Sequence, residues 1–412
     1  MDDFSYLVRK FALLNAKEYG GSANAKAVVG KVLAEMPEYR EKSKEIIPMI
    51  FKIVSEVNKM SLSDIEKEIS DKGLKMAEKP KKREGLKPLF DAEDGKVVMR
   101  FEPSPSGPLH IGHAFPLALN IEYVRMYKGK FILRISDTNP ENIDPQAYDL
   151  LVEDAKWFVE DDLKGCGFDV VVQSDRIEKY YKVAEDLIRC GGAYMCTCDA
   201  EKFRELLNKK VACSCRNRTV DENMVRWKKM FDKNGFKAGE VVMRVKTDIA
   251  HKNPSIRDWP AMRINESEHP QVGYKYRVWP LMNFSVAVDD MLMGVTHVLN
   301  GKDHAANAEK QKYLHKHLKY NSPVYMQIGR INFDGISVSC SATRPLIEDG
   351  TYSGWDDPKI PFMQSFKKRG YVPAAFKKFY VEVGVSRVDK TVAYPEFMKT
   401  IDAYNKRLTK KP

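Results

Sequence analysis

What this 412-residue sequence lacks narrows it first. It holds no uninterrupted apolar run near 18 residues, so no transmembrane helix and no membrane contact are expected. Its N-terminus, MDDFSYLVRK, is acidic and has none of the basic-then-apolar order of a secretory signal. A cytoplasmic protein is the expectation. Seven cysteines are an odd number, which argues against a fully paired disulfide framework. No internal repeat stands out. What is present is ordinary for a globular chain, 43% hydrophobic and 30% charged, and long enough for two to four domains. The net charge of +11 favours a polyanionic partner without identifying it.

Texture divides the chain. Residues 1–77 carry apolar residues three and four apart, as in AKAVVGKVLAEM and EIIPMIFKIVSEVNKM, and read as a small helical bundle. Residues 78–94, opening EKPKKREGLKP, are dense in charge, Pro and Gly and read as a basic linker. From 95 to 192 the texture is α/β. GKVVMRF (95–101) reads as a strand, EPSPSGPLHIGH as a turn, AFPLALNIEYVRMYKG as a helix ending at Gly129, and KFILRIS (130–136) as a second strand. That is a βαβ unit, and the alternation resumes with GVTHVLNG and PVYMQIG, so a parallel sheet is expected. Residues 193–285 hold the clustered cysteines and read as an inserted domain, 286–347 as the second half of the sheet domain, and 348–412 as helical with a basic end.

The turn before the helix carries the chemistry. A helix N-terminus offers unpaired N–H groups and partial positive charge, which suits phosphate. Gly112 lets a flat ring or a backbone approach closely. His110 and His113, at i and i+3, are expected to share a helical face and donate to a polyphosphate. Pro103, Pro105 and Pro108 stiffen the approach.

Taken with RFEPSPSGPLHIGHA, GKFILRISDTNP, residues 269–304 and EDGTYSGWDDP (348–358), this turn resembles the class I glutamyl-tRNA synthetases of archaeal and eukaryotic type. The resemblance covers nearly the whole chain, up to where full-length relatives enter their anticodon-binding barrels. It implies a Rossmann-like catalytic domain split by an acceptor-stem-binding insertion and followed by a helical stem-contact domain. The implied reaction joins glutamate and ATP, with Mg, into glutamyl-adenylate and then transfers the acyl group to the 3′ end of tRNA, held by its acceptor arm. Carried over by position, His110 and His113 are catalytic. Gly107, Gly112, Ser339, Cys340 and Ser341 join them at ATP, with Gly112 under the adenine. Arg100 pairs with the substrate's side-chain carboxylate beside Ser104, and Ser136, Met282 and Asn300 complete the amino-acid pocket.

Several of those positions depart from the family pattern. SVSCS (337–341) aligns with a mobile loop of the form Lys-Met-Ser-Lys-Ser, and Cys340 stands where the second lysine neutralises the departing pyrophosphate. Loss of one such donor costs ~10²–10³ in rate by analogy with oxyanion holes. Arg344 is a candidate substitute charge, and Cys340→Lys is expected to raise activity if the loop is merely weakened. Ser136 replaces an acidic residue that receives the substrate's ammonium group. Asn139, Asn300 and Met291 replace aspartate, arginine and histidine, Phe115 stands where the motif is normally followed by Ala-Arg, and Glu102 replaces a small residue and is placed to compete for Arg100. These changes leave open a divergent paralogue with another amino acid or acceptor, or a catalytically decayed tRNA-binding protein.

Cys196-x-Cys198 and Cys213-x-Cys215 have a spacing compatible with a tetrahedral zinc site, with reduced, partly buried thiols as the alternative. Lys367, Lys368, Arg369, Lys406 and Arg407 are candidate RNA contacts, or simply a solvated face.

Overall fold

The computed structural model describes residues 3–40, 42–74, 85–159 and 162–410, so the 78–84 part of the expected linker lies outside the described residues. The chain divides into two compact units, Met1–Arg83 and Glu84–Pro412.

The first unit is helical: α1 (Asp3–Glu18), α2 (Ala25–Glu35), α3 (Ser43–Val57) and α4 (Leu62–Asp71). Asn24 and Ser61 cap α2 and α4 by accepting from the N–H groups of Ala27 and Asp64. Val8, Ala12, Val28, Val32, Ile50, Val54 and Ile65 close the core. Across it, Arg9 forks onto both carboxylate oxygens of Glu68 at 2.7 and 2.8 Å.

The second unit opens with β1 (Val98–Phe101), α5 (Ile111–Met126), β2 (Lys130–Ile135), α6 (Ala147–Val159) and β3 (Gly167–Val172). The strands run parallel in the order β1-β2-β3, with Met99 opposite Phe131 and Phe131 opposite Phe168. β2 is buried along nearly its whole length, as expected of a parallel strand covered on both faces. Gly129 is required between α5 and β2, because a Cβ there would lie 2.1 Å from the Val97 carbonyl oxygen.

After α7 (Ile177–Arg189) the chain builds a separate antiparallel sheet from β4 (Ala193–Cys196), with α8 (Ala200–Asn208) and α9 (Val220–Phe231), then β5 (Val242–Val245), β6 (Pro260–Ile264) and β7 (Val278–Pro280), in the order β4-β5-β6-β7. Helix α10 (Met282–Leu292) leads back to a parallel pair, β8 (His297–Gly301) and β9 (Val324–Ile328), joined by α11 (Ala305–His317). Thr296, at the start of β8, donates its N–H to the Val98 carbonyl at 3.0 Å and accepts the Val98 N–H at 2.9 Å. The β8–β9 pair therefore lies against β1, and strand order reverses between β1 and β8. In open α/β sheets the crevice at such a reversal, beyond the carboxyl ends of the strands, is where ligands bind.

The remainder is β10 (Ile331–Asp334), α12 (Cys340–Glu348), α13 (Met363–Lys368), α14 (Pro373–Val383), β11 (Lys390–Ala393) and α15 (Tyr394–Thr409), with β10 and β11 paired in parallel. The stretch expected to be wholly helical thus contains one strand. All seven cysteines are free.

Candidate active site

His110 does not sit on the helix with His113. It is the residue before α5, in extended conformation, and its Nδ1 accepts the backbone N–H groups of Gly112 and His113 at 3.1 and 3.3 Å. This corrects the expectation of two histidines on one helical face: one caps the helix and the other is inside it. The two rings nonetheless stack, with centroids 3.6 Å apart. Because Nδ1 of His110 is an acceptor, its proton must lie on Nε2, which makes that atom a donor. Burial, and secondarily the neighbouring His113, pushes the His110 pKa down to about 2, and burial alone pushes that of His113 to about 4. Both rings are neutral near pH 7 and act as hydrogen-bond donors without charge. The Nδ1 of His113 is buried and has no partner.

The turn is clamped from three sides. The Leu109 N–H donates to Asp154 on α6 at 2.8 Å, and Gln364 on α13 donates to the other Asp154 oxygen at 2.7 Å. The Leu109 carbonyl accepts from Met363 at 2.8 Å and the Ile111 N–H reaches the Pro361 carbonyl at 3.1 Å, a short antiparallel bridge centred on His110 and Phe362. Tyr380 on α14 donates its hydroxyl to the Ile111 carbonyl at 2.6 Å. Gly112 has no room to spare: a Cβ would come within 3.0 Å of the His110 ring and 3.6 Å of Val338.

Two clefts open at the β1/β8 reversal. One, of about 610 Å³, is lined by His110, Gly112, His113, Arg330, Ile331 and Val338, among others. The second, of about 290 Å³, is lined by Arg100, Ser104, Ser136, Met282 and Asn300, which are all five residues assigned to the amino acid from sequence. Pro116, Gly301 and His304 line both, so the clefts adjoin.

Arg100 is not a free fork. Its Nε and Nη2 donate to the two oxygens of Asp290 at 3.2 Å each, and its Nη1 donates to Asn300 at 3.1 Å. Two of its five N–H groups remain. Glu102, expected to compete for Arg100, lies 3.7 Å from it but only 2.9 Å from Arg134. Arg134 is fully buried and also meets Asp290 at 2.7 Å. Burial alone would raise the Asp290 pKa, but Arg100 and Arg134 outweigh it and hold the carboxyl below its usual range. Next to it, Asp289 takes Arg176, Gln173 and Tyr180 at 2.7, 3.0 and 2.6 Å. Ser136 donates to Gln173 at 3.0 Å.

Asp289, Asp290, Arg134, Arg176 and Gln173 were missed by the sequence reading, as were His304, Asn307 and Gln311 in the cleft wall. A signal existed for the acids. Two adjacent aspartates in the otherwise uncharged α10 cannot be buried without cations.

The 336–341 stretch is not a simple loop. Ser339 caps α12 by accepting the Ala342 N–H at 3.3 Å, and Cys340 is its first residue, 7% exposed, with Sγ 3.5 Å from the Pro108 carbonyl. Burial pushes the Cys340 thiol up to about 11. Gly107 faces it so closely that an added Cβ would be 3.0 Å from Sγ. Ser341 lies one residue on and is exposed. Arg344, the candidate substitute charge, donates to the Ser106 carbonyl at 2.6 Å and to Asp144 at 3.1 Å, so it fastens α12 to the turn instead.

The four clustered cysteines converge: their Sγ atoms all lie within 4.8 Å of one another, with Cys196–Cys213 at 3.9 Å and Cys198–Cys215 at 3.7 Å. Of the basic residues near the end, Lys367 is paired with Glu153 and Lys368 with Asp356.

A family described as "tRNA synthetases class I (E and Q), catalytic domain" matches residues 96–406. Among curated proteins, the glutamate–tRNA ligase of Methanothermobacter marburgensis is 48% identical over 390 residues, covering 94% of this chain and 69% of that one. Those of Methanopyrus kandleri and Methanocaldococcus jannaschii are each 46% identical, covering 94% and 97% of this chain and 67% and 70% of theirs. Among solved structures, a glutamate tRNA ligase from Elizabethkingia meningosepticum in complex with its amino acid aligns with a TM-score of 0.52 at 17% identity, over 76% of this chain and 69% of that one. That likeness speaks to the fold.

Proposed function

The chain belongs to the class I tRNA synthetases of the E and Q group, and from that premise we propose that it joins glutamate to ATP and passes the glutamyl group to the 3′ end of a tRNA. The observation that carries the reading is that the two clefts share a wall at the strand reversal. One has the residues suited to an amino acid and the other has two neutral histidine donors. A substrate α-carboxylate at the junction, near Pro116 and Gly301, has a phosphate within reach on the far side. One carboxylate oxygen attacks the α-phosphorus, the bond to the bridging oxygen breaks, and pyrophosphate leaves. The Nε2–H of His110 is suited to donate to phosphate oxygens as charge builds on them. Magnesium arriving with ATP neutralises part of that charge.

No lysine lies between residues 336 and 343. Of the cations lining the nucleotide cleft, Arg330 is exposed and paired with Asp303 at 2.9 Å, placed at the rim where a polyphosphate tail would pass. The side-chain carboxylate of glutamate is matched to the two remaining N–H groups of Arg100. The acceptor arm of tRNA as macromolecular partner fits the basic balance, and a cytoplasmic setting fits the reduced cysteines.

The cysteine cluster fits zinc. Four thiolates about 2.3 Å from one tetrahedral ion stand about 3.8 Å apart, close to the Cys196–Cys213 and Cys198–Cys215 separations of 3.9 and 3.7 Å, with all four Sγ atoms within 4.8 Å of one another. Zinc there would tie the end of β4 to the 213–215 segment. Elemental analysis should return about one zinc per chain, absent from Cys213→Ser.

ATP–pyrophosphate exchange with each amino acid, run with and without total tRNA, tests the activity. Exchange with glutamate in the tRNA-containing arm is expected. Exchange with a different acid, or tight tRNA binding with no exchange, would remove the glutamate reading.

A further inference from the structure

We propose that Glu102 receives the α-ammonium group of the amino-acid substrate. The inference rests on the synthetase reading to the extent that an α-amino acid must enter the 290 Å³ cleft. An ammonium group leaving water needs an anion, or its desolvation is not offset. Among the residues lining that cleft, Glu102 is the sole carboxylate.

Its two oxygens are in different states. Oε2 accepts from Arg134 at 2.9 Å, whereas Oε1 is shielded from water and has no hydrogen-bond partner. A carboxylate oxygen left in that condition is costly, and an incoming N–H donor relieves it. The side-chain amide oxygens of the wall are already engaged. Asn300 Oδ1 takes Arg100, Gln311 Oε1 takes Tyr325 at 3.1 Å, and Asn307 Oδ1 takes Asn283 at 3.2 Å. Ser136 carries no charge, and its hydroxyl proton is spent on Gln173. Asp289 and Asp290 lie behind the wall, fully buried and each held by arginines.

Charge balance points the same way. Arg100, Arg134 and Arg176 face Glu102, Asp289 and Asp290, three cations against three anions, in one connected cluster. A site that is neutral as a whole takes a side-chain carboxylate and an α-ammonium group together without creating an unpaired charge. Arg100 and Glu102 are two residues apart at the end of β1, where alternation turns both side chains to the same side. They form a short plus–minus pair, with two N–H groups left on Arg100 and one oxygen left on Glu102. That is the complement of an amino acid presenting a carboxylate and an ammonium.

The test compares glutamate with glutarate, which lacks only the amino group. Glu102→Gln keeps the shape and leaves a carbonyl oxygen for Arg134. It is expected to raise the KM for glutamate in tRNA-dependent exchange by ~10²-fold while the Ki of glutarate as a competitor moves by less than about threefold. Glu102→Asp keeps the charge and is expected to show the same selective loss at about tenfold, which covers the case in which the glutamine variant does not fold. Equal losses for glutamate and glutarate, or no loss for either, would overturn the proposal. Should the wild-type chain exchange with another amino acid, the same comparison is run with that acid and its des-amino counterpart. The glutamate reading then falls, and the ammonium assignment is decided on its own result.

Discussion

Around the nucleotide cleft, position is held by backbone. The turn from Leu109 to Ile111 is gripped by main-chain bonds to Pro361 and Met363, by the Asp154 carboxylate and by the Tyr380 hydroxyl, and its two histidines are neutral. Around the amino-acid cleft, position is held by charge: the walls are side chains in a closed set of ion pairs, with Asp290 shared between Arg100 and Arg134. The difference separates two kinds of vulnerability. A backbone-held site tolerates changes of charge and fails when atoms are added. A charge-held site tolerates modest changes of shape and fails when one ion is removed.

The comparison breaks most visibly at Asp290. Asp290→Ala leaves Arg100 and Arg134 short of an anion in a water-excluded site, and a loss of ~3–5 kcal/mol in urea-denaturation stability is expected. Unchanged stability would mean the amino-acid side is not charge-held.

A smaller effect is expected at Cys340, with the sign reversed from the sequence expectation. With Sγ 3.5 Å from the Pro108 carbonyl and Gly107 pressed against it, a lysine at 340 has no space in the first turn of α12. Cys340→Lys should lower stability by ~1–3 kcal/mol and leave exchange no faster. A faster enzyme with an unchanged melting temperature would show that α12 undocks readily and that the missing lysine alone limits the rate.

The smallest effect near neutral pH concerns the histidines. Their folded pKa values lie below the ordinary 6.5, so the unfolded chain binds protons first. Their contribution to stability is complete above 6.5 and is lost as pH falls below it, through about 4 for His113 and about 2 for His110, by about 1.4 kcal/mol per histidine per pH unit. NMR titration should find neither ring protonating between pH 5 and 8. A midpoint near 6.5 for either would refute the buried, neutral turn.

The parallel strands and the turn were legible in sequence because their determinants are local. FILRI is a continuous buried run, Gly129 stands where the Val97 carbonyl approaches, and the Pro/Gly/Ser turn precedes a helix. The five amino-acid candidates were found through family resemblance, and the structure brings them into one cleft. What escaped was pairing across long stretches of chain. Nothing near Arg100 announces that its fork is filled by a residue 190 positions away. Nothing in SVSCS says that Cys340 is buried, because Gly107 and Pro108 bury it. The cap was readable, since Ser339 three residues before Ala342 is a local pattern, but a presumed mobile loop masked it.

The bridge between the histidine turn and residues 361–363 also sets an order of assembly. A chain emerging from the ribosome presents His110, Gly112 and His113 early, and the β1-β2-β3 sheet and the β8–β9 pair are complete by residue 328. Asp154 apart, the partners that pin the turn, Pro361, Met363, Gln364 and Tyr380, arrive about 250 residues after it, the last bond closing a separation of 269. Contacts that span so much chain form late, because the entropy of closing the intervening loop must be met before the contact returns anything. The growing chain is therefore unable to form a finished nucleotide site until Tyr380 has emerged, and a copy stopped short of that residue carries the motif without the machine.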